Sequence, residues 1–301
     1  MIRYLMAAAA LKLLSTCPQT RRTYRWLGDQ WWAKRRIRLG LPKSYVDRAK
    51  LIHGLFEKHN FIEKGDQLLE IGTGWLHWES VVIRSFYNVK ITLFDVRDCR
   101  QLQVLKRYSA EFAELVCEEM DTTPMQCEHV RNMLGAISSA SSFDDLYHLL
   151  GFHYVIQPSG TLDCFQDESF AAIFSYSVLE HVKKDILSEY IQDFGRLLKP
   201  GGYSIHTIDM GDHLSYYDRS VSVKNYLRFS DAAWKRWFEN EVQYFNRVQR
   251  SEWLRLFNRA GLELVEEESL YSDIGTISIG QNLDRQDLEC KVLQVVHRKP
   301  E

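Results

Sequence analysis

The stretch that decides the fold is Leu68-Leu69-Glu70-Ile71-Gly72-Thr73-Gly74-Trp75. Residues 67–71 form a short apolar run typical of a buried strand, and a helix is predicted to follow at residues 77–86. Gly72 and Gly74 lack a Cβ atom, so the turn between strand and helix brings its backbone close to a ligand. The first N–H groups of the helix would face the same ligand. A tight turn without a ligand is the structural alternative.

Two carboxylates indicate which ligand the turn would bind. Glu70 stands directly before the first glycine, where it would repel a pyrophosphate but suit a cationic amino group. Asp95 ends the next predicted strand, residues 89–94, where a carboxylate can accept both ribose hydroxyls. The last glycine of a dinucleotide fingerprint falls on His77. The pattern therefore favours S-adenosyl-L-methionine and disfavours an NAD-dependent oxidoreductase.

Strands alternate with helices along the rest of the chain, which predicts a mostly parallel sheet with helices on both faces. Further strands are predicted at residues 154–157, 170–175, 203–208, 262–267 and 291–297. Helices are predicted at residues 44–60, through most of 99–150, and at 178–197 and 251–260. Ser142 is predicted to cap the last helix of 99–150 together with Asp145, and Gly151 to end it.

Composition and charge exclude several classes of protein. The 301 residues are 45% hydrophobic and 26% charged, which excludes a disordered chain and a membrane protein with many spans. A net charge of −2 gives no case for nucleic-acid binding. The six cysteines show neither C-x-x-C pairs nor zinc spacing, which predicts free thiols in a reducing compartment. We therefore expect a cytoplasmic protein.

The N-terminal residues 1–60 are predicted to form a basic helical arm, and residues 61–301 the main domain. Residues 1–50 hold 12 Lys/Arg and 2 Asp/Glu. Such an arm can pack on the acidic remainder of its own chain, which we favour, or lie on the inner face of an anionic membrane. The first apolar stretch is too short to span a bilayer. An amphipathic or buried helix is predicted there, with a secretory signal as the alternative.

Five segments, in this order, resemble those of class I S-adenosylmethionine-dependent methyltransferases. They are Glu70-Ile71-Gly72-Thr73-Gly74, Phe94-Asp95, residues 169–182 with Val178-Leu179-Glu180-His181-Val182, residues 197–203 with Lys199-Pro200-Gly201-Gly202, and residues 253–261. The resemblance runs over about residues 65–299, and it implies a Rossmann-like sheet of seven strands with the last one antiparallel. It implies S-adenosyl-L-methionine as the cofactor. The contacts it implies are Glu70, Gly72, Thr73, Gly74, Trp75, Asp95, Val96, Ser159, Gly160, Ser175 and Tyr176.

The chain departs from the family pattern at several points. The third glycine of the first motif is Leu76, and the acidic residue after the third strand is Ser159. Insertions are predicted at about residues 97–151 and 210–248. The second holds nine aromatic residues, as a lid over the acceptor or as a satellite core. Parts of residues 206–247 resemble a subset of uncharacterised bacterial methyltransferases, from which no substrate carries over. A binding or scaffold protein that lost turnover is the alternative function.

Candidate catalytic residues lie in or after the fifth predicted strand, except His181, which follows the fourth. His213 is predicted to be a general base that Asp209 orients, and His181 is the second candidate, with a packing or capping role as its alternative. His206 is a weaker candidate because it lies inside a strand. His206, Asp209, Asp212 and His213 match no compact metal motif, so no metal is predicted. The predicted activity is methylation of an oxygen, or alternatively a nitrogen, of a small molecule or glycan. No nucleic-acid partner is expected, membrane contact through the arm is an option, and the sequence does not predict an oligomeric state.

Overall fold

The structure is a computed structural model, and it describes residues 1–274 and 284–301. These residues form seven β-strands and eleven α-helices. The strands are β1 (Gln67–Ile71), β2 (Lys90–Asp95), β3 (Phe152–Ile156), β4 (Phe170–Tyr176), β5 (Leu198–Asp209), β6 (Glu263–Tyr271) and β7 (Cys290–Arg298). The helices are α1 (Ile2–Leu14), α2 (Pro18–Leu39), α3 (Lys43–His59), α4 (Trp78–Phe86), α5 (Leu102–Glu119), α6 (Pro124–Ser139), α7 (Phe143–Leu150), α8 (Leu187–Leu197), α9 (Asp231–Trp237), α10 (Arg250–Arg259) and α11 (Arg285–Glu289).

The seven strands form one sheet with the order β3-β2-β1-β4-β5-β7-β6. Strand β1 pairs in parallel with both β2 and β4, and β2 pairs in parallel with β3. Strands β6 and β7 are antiparallel. Four of the five residues of β1 are buried, as expected for a central strand with both faces covered. The predicted Rossmann-like, mostly parallel sheet is therefore confirmed.

The chain divides into two compact units. One unit contains Asp29–Phe174 and Leu197–Tyr203, and with them β1, β2, β3 and helices α3 to α7. The other contains Met1–Gly28, Ser175–Arg196 and Ser204–Glu301. The predicted basic arm, residues 1–60, contributes α1 to the second unit and α3 to the first.

The helix predicted at residues 178–197 is interrupted. A short 3₁₀ turn spans Leu179–His181, and the α-helix α8 begins only at Leu187. Asn246 accounts for the break: its backbone N–H donates to the Glu180 carbonyl at 2.6 Å. Its side-chain amide donates to two further carbonyls of the same segment, at 2.9 and 3.0 Å. Carbonyls that would accept helical N–H groups are thus taken by a distant residue.

The insertion between β2 and β3 is helical, as predicted. Ser142 Oγ accepts a hydrogen bond from the Asp145 N–H at 3.0 Å, and Gly151 ends α7 with a φ of 67°. The prediction of six free thiols is wrong for Cys117 and Cys127, which form a disulfide between α5 and α6. These two consecutive helices pack against each other, so cysteines without a recognisable spacing come to a Cα–Cα distance of 5.4 Å.

The apolar N-terminal stretch folds as α1, a helix that is buried along one side, as predicted. It packs Tyr4, Ala8 and Leu11 into an apolar cluster. The other buried members are Leu214, Tyr226, Leu227, Trp234, Phe238 and Phe245. Four of the nine aromatic residues of the second insertion therefore lie in a core. Among the described residues, we find no helix with the length and apolar character that a bilayer crossing requires.

Candidate active site

The glycine turn that joins β1 to α4 leaves room for a ligand. Gly72 and Gly74 have φ angles of 69° and 60°, a left-handed conformation that glycine adopts without strain. The N–H groups of Gly72 and Thr73 donate to the Phe94 carbonyl at 2.8 and 3.3 Å, which fixes the turn to β2. Within residues 1–274 and 284–301, a Cβ atom placed on Gly74 would meet only the Gly72 carbonyl, at 3.9 Å. The buried Thr73 Oγ1 has no hydrogen-bond partner among the described residues, and it is thus available to a ligand.

Asp95 at the end of β2 holds this turn. Its Oδ2 accepts a hydrogen bond from the Gly74 N–H at 2.9 Å, and its Oδ1 accepts from the Val96 and Arg97 N–H groups at 2.7 and 3.3 Å. Burial raises the pKa of the Asp95 carboxyl, while the three backbone N–H donors counteract that rise. The carboxylate is therefore fixed at the edge of the turn, where the sequence predicts a ribose contact.

Glu70 provides a second carboxyl group, buried at 3% exposure. The Ser80 hydroxyl donates a hydrogen bond to Glu70 Oε2. Burial and the neighbouring charge of Glu79 raise the pKa of Glu70 to about 8. Arg48 forms two 2.6 Å hydrogen bonds with Glu79. A cationic ligand group beside Glu70 would offset both burial and repulsion, which suits an ammonium group.

Trp75 follows the turn and is held by residues of α2. Its indole N–H donates to Asp29 Oδ1 at 2.9 Å, and Arg97 donates to Asp29 Oδ2 at 2.8 Å. The Arg36 guanidinium lies 4.0 Å from the centre of the indole ring, as a cation–π contact. The sequence analysis missed this role of Asp29, although a single acidic residue in the basic helix α2 was a signal for it.

The third strand brings its own predicted residues to the same edge of the sheet. A Cβ atom on Gly160 would lie 3.5 Å from Val96 Cγ1, so these two residues are neighbours. Ser159 Oγ lies 3.0 Å from Thr161 Oγ1. Parallel strands β1, β2 and β3 are adjacent, and ligands bind at the carboxyl ends of such strands. The open glycine cradle, the free Thr73 hydroxyl and two fixed carboxyl groups fit S-adenosyl-L-methionine.

Ser175 and His206 are in the other unit, and they contact each other. His206 Nδ1 lies 2.7 Å from Ser175 Oγ, and its Nε2 lies 2.8 Å from Ser204 Oγ. The ring is fully buried and stacks on Phe194 and Phe257. Both ring nitrogens are engaged, which argues against His206 as a base and against Ser175 as a hydroxyl contact to a cofactor. Tyr176, the other predicted contact in this unit, ends β4 half-buried.

His181 and His213 form a pair in this unit, with ring centres 5.2 Å apart. His181 Nδ1 lies 2.7 Å from the Tyr244 carbonyl, to which it donates, so the Nε2 lone pair remains free to accept a proton. His213 Nε2 lies 3.8 Å from Asp209 Oδ2. Burial and the neighbouring His181 lower the pKa of His213 to about 4, so its imidazole is neutral at pH 7.

Asp209 is held rigidly beside His213. Its Oδ2 accepts a hydrogen bond from the Tyr216 hydroxyl at 2.7 Å, and its Oδ1 accepts from the Gly211 N–H at 2.8 Å. The Tyr216 ring stacks on His213, at 5.5 Å between ring centres. The predicted pair of Asp209 and His213 is thus together, and Tyr216 is a third member that the sequence analysis did not identify.

Three side chains of the kind that bind divalent cations also meet here. Ligand atoms of Glu180, His181 and His213 lie within 4.8 Å of one another. Burial raises the pKa of Glu180 well above its usual value. The four residues weighed as a metal set in the sequence are not this group, since His206 is engaged as described and Asp212 Oδ2 accepts from the Tyr4 hydroxyl at 2.8 Å. The absence of a metal stays a prediction.

One family model and several solved structures are similar to this chain. A family model described as a methyltransferase domain matches residues 32–267, more than three quarters of the chain. No curated protein matches the sequence.

Solved structures that are similar to the chain share little sequence with it. The partner of a methyltransferase activator from Haloferax volcanii is 15% identical with a TM-score of 0.45, over 86% of this chain and 96% of that one. A methyltransferase structure from Bacillus halodurans is 14% identical with a TM-score of 0.45, over 80% and 95%. The 1,6-didemethyltoxoflavin-N1-methyltransferase of Burkholderia thailandensis, with its substrate and S-adenosylhomocysteine bound, is 12% identical with a TM-score of 0.46, over 84% and 78%.

Identities this low do not indicate an acceptor. The length of the family match, the seven-stranded sheet and the open glycine turn agree with one another, and they establish that the chain belongs to the methyltransferase domain family, as a class I S-adenosylmethionine-dependent enzyme.

Proposed function

We propose that the chain methylates a hydroxyl group of a small molecule or glycan in the cytoplasm. The observation that carries the proposal is the neutral His213 imidazole beside the fixed Asp209 carboxylate. A hydroxyl must lose its proton as its oxygen is methylated, and a positioned neutral imidazole takes such a proton near pH 7. An amine acceptor that is already deprotonated would need no such pair.

The two ends of the reaction use different residues. When bound, S-adenosyl-L-methionine supplies a methyl group on a sulfonium sulfur, which makes the methyl carbon electrophilic. Glu70 would hold the ammonium group and Asp95 the ribose hydroxyls, while Gly72, Thr73 and Gly74 line the turn. Positioning of both partners then supplies most of the rate, because the transfer is a single displacement.

At the acceptor, an imidazole nitrogen of His213 would receive the O–H proton while the oxygen takes the methyl group from the sulfonium sulfur, which would leave as a neutral thioether. Asp209 then stabilises the imidazolium by its negative charge, and the Tyr216 hydroxyl fixes the carboxylate in place. His181, with its Nδ1 anchored on the Tyr244 carbonyl, is the second group that can receive the proton.

Exposed aromatic side chains near His213 suit a ring-shaped acceptor. Tyr216 and Tyr217 are 56% and 43% exposed, whereas four other aromatic residues of the same segment are buried. Flat aromatic rings bind the apolar faces of sugars and of aromatic small molecules. Glycans and phenols are therefore the first acceptor classes to try.

The test is a panel of hydroxyl and amine acceptors, each incubated with the enzyme and deuterium-labelled S-adenosyl-L-methionine. Mass spectrometry of the products locates the labelled methyl group on oxygen or nitrogen. We expect O-methylated products and loss of their formation in His213→Ala. Turnover confined to amines, or O-methylation undiminished in the folded His213→Ala protein, would refute the proposal.

A further inference from the structure

Helix α1 carries two apolar stripes on opposite sides. Tyr4, Ala8 and Leu11 form the inner stripe and are buried in the cluster described above. The outer stripe consists of Ile2, Leu5, Met6, Ala9 and Leu13. At about 100° per residue, these five positions fall within roughly 100° of the helix circumference. The second stripe is thus as regular as the first, but no core of the described residues covers it.

The outer stripe is well exposed. Ile2, Leu5, Met6 and Leu13 are 75%, 47%, 66% and 69% exposed. The buried inner stripe fixes the orientation of the helix, so these side chains cannot turn inward without giving up the contacts of Tyr4 and Leu11. A continuous apolar surface of this kind marks an interaction site.

The chain segment that contains the stripe is basic. The segment Met1–Gly28 contains five Lys/Arg and no Asp/Glu. Three of the five bind the chain itself: Lys12 donates to two backbone carbonyls, Arg25 donates to the Glu241 carbonyl, and Arg21 lies 3.9 Å from the Glu241 carboxylate. Arg3 and Arg22 are exposed and have no carboxylate partner among the described residues. On the neighbouring helix in the chain, α2, Trp26 and Leu27 are 60% and 54% exposed, and such side chains favour a membrane interface.

We propose that the outer stripe of α1 (Ile2, Leu5, Met6, Ala9 and Leu13) docks on an anionic phospholipid bilayer. The apolar side chains enter the acyl boundary, and the exposed Arg3 of the same helix faces the lipid phosphates. A second copy of the chain fits less well, because a two-fold contact would place identical basic segments against each other. The sequence indicated membrane contact through the basic residues of the arm. In this proposal the apolar stripe of α1 provides the contact instead, because several of the arm's cations bind their own chain.

The test is co-sedimentation of the full chain with vesicles, without cofactor or acceptor, so that it is independent of turnover. Vesicles contain phosphatidylglycerol and phosphatidylcholine in equal parts, or phosphatidylcholine alone. We expect binding to the anionic vesicles that weakens at about 0.5 M salt, where screening shortens the range of the arginine charges. Leu5→Glu/Met6→Glu should lower the partition coefficient at least tenfold, and Leu13→Glu alone should lower it less.

The matched control is Trp237→Glu/Leu270→Glu, which places the same charges on side chains that are 62% and 59% exposed elsewhere. It should bind vesicles nearly as well as the wild type, and thermal denaturation should show all variants folded. Three results would overturn the proposal: no sedimentation of the wild type, equal losses in the control and α1 variants, or a dimer in solution that Leu5→Glu/Met6→Glu dissociates.

Discussion

The glycine turn after β1 and the histidine pair beside Asp209 differ in how the protein binds their polar groups. At the turn, the buried Thr73 hydroxyl has no partner among the described residues, and the space over Gly74 is open. Beside the histidines, two polar groups are fixed by the protein, since His181 Nδ1 donates to the Tyr244 carbonyl and Asp209 accepts from Tyr216. The first region is built for binding, whereas the second holds a base in place, so mutations in the two regions should change different measured constants.

The largest effect is expected at the histidine pair. His213→Ala should lower kcat about 10²–10⁴-fold, because the acceptor proton loses its base. The Kd of S-adenosyl-L-methionine, measured by isothermal titration, should not change. His129→Ala, on the surface of α6, is the control and should leave kcat unchanged.

Adding a chelator distinguishes proton transfer by His213 from metal binding by Glu180, His181 and His213. We expect full turnover in EDTA. Loss of turnover that a divalent cation restores would assign Glu180, His181 and His213 to a metal site and remove His213 from proton transfer.

The second largest effect, a loss of cofactor affinity, is expected at the glycine turn. Asp95→Ala removes the acceptor of the Gly74 N–H as well as the predicted ribose contact. It should weaken S-adenosyl-L-methionine binding by about 1.5–3 kcal/mol, the scale for hydrogen bonds to charged groups. Turnover at saturating cofactor should remain near that of the wild type. Asp98→Ala removes a nearby exposed carboxylate and should bind the cofactor normally; an equal loss there would contradict the role of Asp95.

A pH series sharpens the comparison further. Glu70, with its pKa raised to about 8, is mostly protonated at neutral pH in the free enzyme, and an ammonium ligand prefers its carboxylate form. Binding therefore releases a proton, and the Kd should fall by up to about tenfold per pH unit between about pH 6 and 7.5. Titration calorimetry in two buffers measures the proton release directly. Glu70→Gln should flatten the profile, and a wild-type Kd that does not depend on pH would argue against an ammonium contact.

The smallest effect is expected at Thr73. Thr73→Val keeps the volume and removes one hydroxyl that has no partner among the described residues. We expect a loss of about 0.5–1.5 kcal/mol in cofactor affinity and no loss of thermal stability. Should stability fall instead while the affinity holds, the hydroxyl serves the fold and not the ligand.

Sequence analysis predicted the turn and its strands well because they depend on neighbouring residues. The run Gln67–Ile71, the two glycines and Asp95 carry their own local signals, as does the Ser142 cap. The interruption of the helix predicted at 178–197 could not be foreseen. It depends on Asn246, which lies more than 60 residues later in the chain and donates hydrogen bonds to carbonyls of this segment. Two other contacts likewise depend on packing between helices or loops. They are the disulfide between Cys117 and Cys127 and the hydrogen bond from the Trp75 indole to Asp29.

The histidine site was predicted in part for the same reason. Asp209 and His213 are four residues apart, so their pairing is readable from the sequence. His181 joins them from another strand end, and Tyr216 does so through a short 3₁₀ turn that no spacing rule predicts.

His77 stands where a dinucleotide fingerprint has its last glycine, and its φ of 47° is left-handed. The cost of this conformation is offset by contacts from the inserted helix α7 and from β3, because His77 Nε2 lies 2.8 Å from the Tyr147 hydroxyl and Phe143 and Tyr154 contact the ring. The inserted helices thus serve as a brace for the cofactor turn. An engineer who trims them to reach a minimal catalytic domain would also have to replace His77 with glycine, which adopts that backbone conformation unaided.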